Sequence, residues 1–399
     1  MTKMTQIKKL LAQMPVVANT PEKAPAKRTS SLERYLSQHY DFRINLLTDE
    51  TEFRPVGETD YQILGKRELN TLAFEISRNG VSCGFGALSR YLQSSLIETY
   101  HPFEQYLKNL PRWDGKDRVT DLAMRVSRHP LWLKGFRRWM LAMVAQWMGM
   151  DKLHANSVAP LLISEEQGMM KSTFCKSLMP EVLQAYYTDQ IDLSAKGNIE
   201  SKLALMGLIN MDEFDRHSPQ RMAQLKNLMQ MPSLTIRKAY QKNYRQLPRI
   251  ASFIGTSNRK DLLTDPTGSR RFLCVEVEQK IDCSNIDLNQ IYAQLKAELA
   301  MGKPYWFTSQ EEEENQQHNT AFYQVRPEEE LFRARFRAPQ SSESYEELSL
   351  VEILDELRES HPHLLRHTDY KQFGAALIAV GIERVHTMNG NRYKVVRVA

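Results

Sequence analysis

From Tyr40 onward the chain alternates apolar and polar positions. Phe42-Arg-Ile-Asn-Leu is followed by Thr48-Asp49-Glu50 and a resumption at Phe53, a spacing that predicts a hairpin. The period then lengthens. Leu69, Leu72, Phe74 and Ile76, and later Leu88, Tyr91, Leu92, Leu96 and Ile97, have helical spacing, and Trp113-Asp114-Gly115 marks a turn. Trp132, Phe136, Trp139, Met140, Met143, Val144 and Trp147 form one apolar stripe, the mark of a core helix rather than a cofactor box. After Ser157, short apolar runs at 158–163, 208–212, 250–256 and 272–277 alternate with helical text, including a helix over 171–178. Strands separated by helices predict an α/β core. Past a linker at 338–344, helices are expected over 348–357 and 370–380. An alternating segment, 382–398, centres on the hairpin dipeptide Asn389-Gly390. Helices closed by a terminal hairpin suggest a winged helix.

These shifts divide the chain into a disordered basic tail (1–30), a hairpin and helical accessory domain (31–112), a helical lead-in (113–156), the α/β core (157–300), a helical connector and linker (301–340) and a winged-helix-like domain (341–399). Lys23, Lys27 and Arg28 sit in the tail among Pro, Ala and Thr, too few large apolar groups to order it.

Composition narrows the class. The 399 residues are 42% hydrophobic and 25% charged, enough apolar side chains for a sizeable core. A net charge of +5 is compatible with nucleic acid without requiring it. The four cysteines are scattered without metal-type spacing, so structural thiols and a cytoplasmic setting are expected. The most apolar run, 139–148, is too short to span a bilayer, so no membrane association is expected.

The chemistry concentrates in Glu165-Glu166-Gln167-Gly168-Met169-Met170-Lys171-Ser172-Thr173-Phe174. A phosphate loop joins a strand to a helix by a tight turn of inward N–H groups. Its Lys reaches the β- and γ-phosphates, and its Ser or Thr binds Mg²⁺. Strand 158–163, Gly168, Lys171, Ser172 and Thr173 stand in that order, but Glu165 and Met170 occupy positions that usually hold glycine. A polar αβ turn remains the alternative. Leu208-Ile-Asn-Met-Asp212-Glu213 supplies acid at the end of an apolar strand, expected to be adjacent to the first. Asp212 suits the metal shell and Glu213 the attacking water. Asp215 and His217 read as solvated. Asn258, ending a third strand, suits a γ-phosphate or water contact, and Arg271 suits charge stabilisation in a neighbouring subunit's site.

Over 101–277 the chain resembles the virulence-associated protein E-like family, P-loop proteins of phages and mobile elements related to superfamily 3 helicases. His101-Pro102, Tyr106-Leu107, Trp113-Asp114-Gly115, Gln167-Gly168 with Lys171-Ser172-Thr173-Phe174, and Asp212-Glu213 carry the resemblance. So do Phe253-Ile-Gly-Thr-Ser-Asn258-Arg259 and Asp265-Pro-Thr-Gly-Ser-Arg270-Arg271-Phe272. The resemblance implies an AAA+/superfamily 3 helicase-like P-loop fold and a homo-hexamer or other ring. It also implies an ATP- and Mg²⁺-dependent motor that moves along or unwinds single-stranded or forked DNA during replication. Lys171 and Ser172 would hold ATP·Mg²⁺, Asp212 and Glu213 form the acidic motif, Asn258 is the first sensor and Arg271 the finger in trans. The departures at Glu165 and Met170 bear on catalysis, not on the fold. Related helicases carry a DNA-contacting hairpin where this chain has Lys238, Tyr240, Lys242 and Arg245, cationic and aromatic groups suited to phosphate and base. Two other readings stay open: a P-loop module that binds DNA without hydrolysis, and a small-molecule kinase.

Overall fold

The protein is described by a computed structural model covering residues 30–151, 153–191, 196–216, 219–236, 245–263, 266–324, 327–340, 343–361, 363, 365, 368–388 and 390–398. The described residues divide into two units, one up to Tyr100 and one from His101 onward.

In the first unit, helix Ser31–His39 leads into β1 (Tyr40–Asn45), which pairs antiparallel with β2 (Thr51–Pro55) through the expected turn. The two-residue β3 (Gln62–Ile63) and the parallel β4 (Glu98–Tyr100) complete the order β3-β2-β1-β4. Helices Lys66–Arg78 and Phe85–Leu92 contribute Leu72, Ile76, Leu88 and Leu92, which bury against Leu36.

The second unit is a mixed α/β fold around a parallel sheet. β5 (Ala159–Ile163), β6 (Tyr187–Thr188), β7 (Leu208–Met211), β10 (Ser252–Ser257) and β11 (Phe272–Glu276) lie in the order β11-β5-β10-β7-β6, every neighbouring pair parallel. Every residue of β5, β7 and β10 is buried, which is why these strands read as largely apolar runs, broken only by Asn210, Ser252, Thr256 and Ser257. The stripe around Trp139 is helix Pro130–Trp147, buried at twelve of its eighteen positions. It packs on the sheet closely enough that a Cβ on Gly135 would fall 2.7 Å from the Leu273 side chain. Helices Lys196–Leu205 and Pro219–Leu228 contribute to the core cluster built on Leu161, Ile209, Phe253 and Phe272. β8 (Ser233–Ile236) and β9 (Arg245–Pro248) form a separate antiparallel hairpin that feeds into β10.

Helix Pro327–Arg335 belongs with the C-terminal residues, not with a connector ending at 340. Its Phe332, with Phe336, buries against Leu354, Phe373 and Tyr393. Helices Leu350–Ser360 and Tyr370–Ala379 follow, with β12 (Phe336–Arg337), β13 (Glu346–Ser349) and β14 (Arg384–Thr387) all antiparallel to β15 (Gly390–Arg397). Among the described residues no helix is long and apolar enough to cross a membrane.

Candidate functional site

All five parallel strands point their carboxyl ends the same way, and open α/β sheets bind ligands outside those ends. The loop after β5 turns there through Gly168 (φ +75°) and Met170 (φ +63°) into helix Lys171–Ser177. Met170 thus adopts the left-handed conformation that a glycine usually serves, whereas Glu165 is not among the positive-φ residues. The N–H groups of Lys171, Ser172 and Thr173 open the helix, where no intrahelical acceptor exists for them.

Lys171 is buried. Its Nζ donates to the Ser164 carbonyl (2.8 Å) and to Asn258 Oδ1 (2.9 Å). Burial lowers its pKa from the ordinary lysine value, opposed by the carboxylates of Asp212 and Asp215. Ser172 Oγ donates to Asp212 Oδ1 at 2.7 Å, and Thr256 Oγ1 donates to the same oxygen. Residues from three strand ends therefore meet: Lys171 and Ser172 after β5, Asp212 after β7, and Thr256 and Asn258 at the end of β10.

The structure corrects two expectations here. The acid-bearing β7 is not adjacent to β5, because β10 lies between them. Asp212 still reaches Ser172 because β10 ends in Gly255-Thr-Ser, whose side chains are short. Asp215 is half-buried and accepts a hydrogen bond from Ser257 Oγ at 2.9 Å, so it is not simply solvated. Nothing in the sequence spacing signalled Thr256 or Ser257, both buried and both bound to these acids. Glu213 follows Asp212 with a left-handed backbone (φ +51°).

Other predicted residues lie elsewhere. Arg271 immediately precedes β11, whose Phe272 pairs with Ala159 at the start of β5. It therefore stands at the opposite end of the sheet from Lys171, about 15 Å away along five strand residues. Arg270 beside it is ion-paired with Glu312 (3.0 Å). Lys238, Tyr240, Lys242 and His217 lie outside the described residues, and Arg245 is the first residue of β9. Arg249, which ends the basic and aromatic stretch after the hairpin, is no surface cation. It is fully buried and donates to the carbonyls of Asn156, Met229, Met231 and Ala251. Burial lowers its pKa to about 10 against the opposing pull of Asp151.

Residues 107–324 match the virulence-associated protein E-like domain, and residues 326–395 match a domain of unknown function from B. Theta. No curated protein matches the chain. Among solved structures, the apo structure of the NrS-1 C terminal region (305-718) is similar at 13% identity. That match covers 92% of this chain and 98% of that one, with a TM-score of 0.45. An A form apo structure of the same region is similar at 13% identity over 94% and 100%, with a TM-score of 0.41.

Proposed function

The chain belongs to the virulence-associated protein E-like family, and from that premise we propose that it is a P-loop ATPase, a DNA translocase or helicase-like motor used in replicating a phage or mobile element. The observation that carries this reading is the meeting of Lys171, Ser172, Asp212 and Asn258 at the carboxyl ends of one parallel sheet. A buried ammonium with only neutral hydrogen-bond partners suits an anionic ligand. A serine hydroxyl against a carboxylate is a hard-oxygen donor pair, which fits Mg²⁺, an ion that keeps several waters and needs few protein ligands. When bound, Mg²⁺ neutralises phosphate charge.

In this reading Lys171 and the N–H groups of the Gly168–Thr173 turn hold the triphosphate of ATP, and Ser172 and Asp212 hold the metal. Glu213 takes the proton of the attacking water, and the Asn258 carboxamide orients it. Arg271, at the far end of the sheet, serves only a neighbouring copy's site, which implies a homo-hexamer or other ring. In the same reading Lys238, Tyr240, Lys242 and Arg245 bind single-stranded or forked DNA. The helices and hairpin after Pro327 make a winged-helix-like module.

The test is ATP hydrolysis with and without forked DNA. Wild type is expected to turn over faster with DNA, and Lys171→Ala and Glu213→Gln to lose about 100-fold or more. One observation favours a second reading, a DNA-binding module without hydrolysis: a methionine holds the left-handed position of the loop. Wild-type turnover no higher than that of Glu213→Gln would establish that second reading and end the motor one.

A further inference from the structure

Asp215 stands three residues beyond Asp212, where the left-handed turn at Glu213 swings the chain into the short 3-10 helix Phe214–Arg216. Phe214 anchors that helix. It is 2% exposed and sits edge-on to Phe272 with ring centroids 5.0 Å apart. The anchor leaves the Asp215 carboxylate facing the end of β10, where Ser257 is buried.

Ser257 has one hydroxyl proton and two acceptors in reach, Asp215 Oδ1 and the Arg259 carbonyl, each at 2.9 Å. The charged acceptor makes the stronger bond, so the proton goes to Asp215. The Ser257 oxygen then remains free to accept the Arg259 N–H, which it does at 3.0 Å. The turn Ser257-Asn258-Arg259 is thereby tied at both ends, and the residue between them is the one whose carboxamide meets Lys171 Nζ.

We propose that Asp215 is a positioning residue for this site: acting through Ser257, it fixes the turn that aims Asn258 at the reacting phosphate and its water. The proposal rests on the hydrolytic reading given above. Asp215 touches no reacting atom. Its effect is on the placement of a group that does, and a displacement of about 1 Å at such a group can cost on the order of 100-fold in rate.

Two measurements on the full chain decide it. In nucleotide-free protein, amide hydrogen exchange at Arg259 is expected to quicken in Asp215→Ala and in Ser257→Ala, and to stay slow in Asp215→Asn, which keeps an acceptor oxygen. In steady-state ATP hydrolysis with DNA, Asp215→Ala is expected to lose about 10- to 100-fold in kcat. Affinity for a non-hydrolysable ATP analogue should stay within about 3-fold, and Asp215→Asn should recover most of the rate. Added to Asn258→Ala, Asp215→Ala is expected to cost nothing further, because the group it positions is gone. Wild-type exchange at Arg259 in Asp215→Ala overturns the proposal. So does an Asp215→Asn variant as slow as Asp215→Ala, or full additivity with Asn258→Ala. Absence of turnover in wild type itself defeats the hydrolytic reading and the catalytic part of the proposal with it, while Arg259 exchange still decides the positioning part.

Discussion

Met170 is the residue on which the loop's chemistry turns. Its φ of +63° places a Cβ in the left-handed region, at a cost of about 1–2 kcal/mol. Local strain of this size persists where surrounding structure over-determines it, and it clusters at functional sites. Here the neighbouring Met169 is held by its own carbonyl, which accepts the Ile281 N–H, so the loop is tied just before the strained residue. Met170→Gly removes the strain but adds freedom to the unfolded chain, which takes back roughly 0.5–1 kcal/mol. The expected outcome is a thermal midpoint raised by the remainder, together with tighter binding of an ATP analogue. A lowered midpoint would show that the methionine side chain contributes more than its backbone loses. The sequence pointed to two substituted glycine positions. Only one of them carries the strain, because the chain reaches the left-handed region at Met170 and not at Glu165.

At the level of elements, most of the core could be read from the sequence. The runs at 158–163, 208–212, 250–256 and 272–277 correspond to β5, β7, β10 and β11, because strands buried on both faces are mainly apolar and their few polar positions are small or hydrogen-bonding. The β8–β9 hairpin lies where the family resemblance implied one. Strand order was not legible, since nothing in a strand's own residues states which neighbour it will have, and β10 therefore entered between β5 and β7 unannounced. Two residues of β6 are too few for any period to register. Arg249 carries no sign of its burial in the sequence, because it follows a basic segment and only the carbonyls gathered around it make burial tolerable. Glu311 offers a pH test at this scale. It closes the capping box of helix Ser309–His318 with Thr308 and pairs with Arg138 (3.0 Å) and Lys134 (3.2 Å). Burial would raise its pKa, but the Thr308 N–H and the two cations outweigh burial and bring it from 4.5 down to about 2. A carboxyl whose folded pKa lies below its unfolded one stabilises fully above the unfolded value, and that contribution fades as pH falls from about 4.5 toward 2. Urea unfolding of Glu311→Gln should therefore show lower stability than wild type near pH 7, with the two curves converging toward pH 2. Curves that stay parallel would remove Glu311 from the acid response.

At the scale of the whole molecule, the charge of the parts from residue 30 onward favours one of them for the DNA contact proposed above. Residues 30–100 carry ten acids against seven bases, and residues 327–399 carry twelve against ten. Residues 101–326 carry thirty bases against twenty-five acids, and four of those bases lie in the hairpin segment 233–248, which has no acid at all. The C-terminal module has the helix-and-hairpin layout suited to groove binding, yet several of its cations are already engaged. Arg397 pairs with Glu346 and Glu356, Lys394 with Glu383, Arg392 with Glu352 and Arg337 with Glu343. A cation that keeps its carboxylate partner releases no counterion from a phosphate, so it adds little to the salt dependence of binding. The hairpin should carry that dependence instead. Lys238→Ala and Lys242→Ala are each expected to weaken DNA binding across sequences and to flatten the slope of log affinity against log salt by about 1. Arg392→Ala combined with Lys394→Ala is expected to leave the slope where it was. The reverse result, a slope that responds to the C-terminal pair and ignores the hairpin lysines, would move the DNA contact to the module and leave the hairpin without a function. Affinity titrations at four or five salt concentrations separate the two outcomes, because a change of one in the slope is about a fourfold change in affinity between 50 and 200 mM salt.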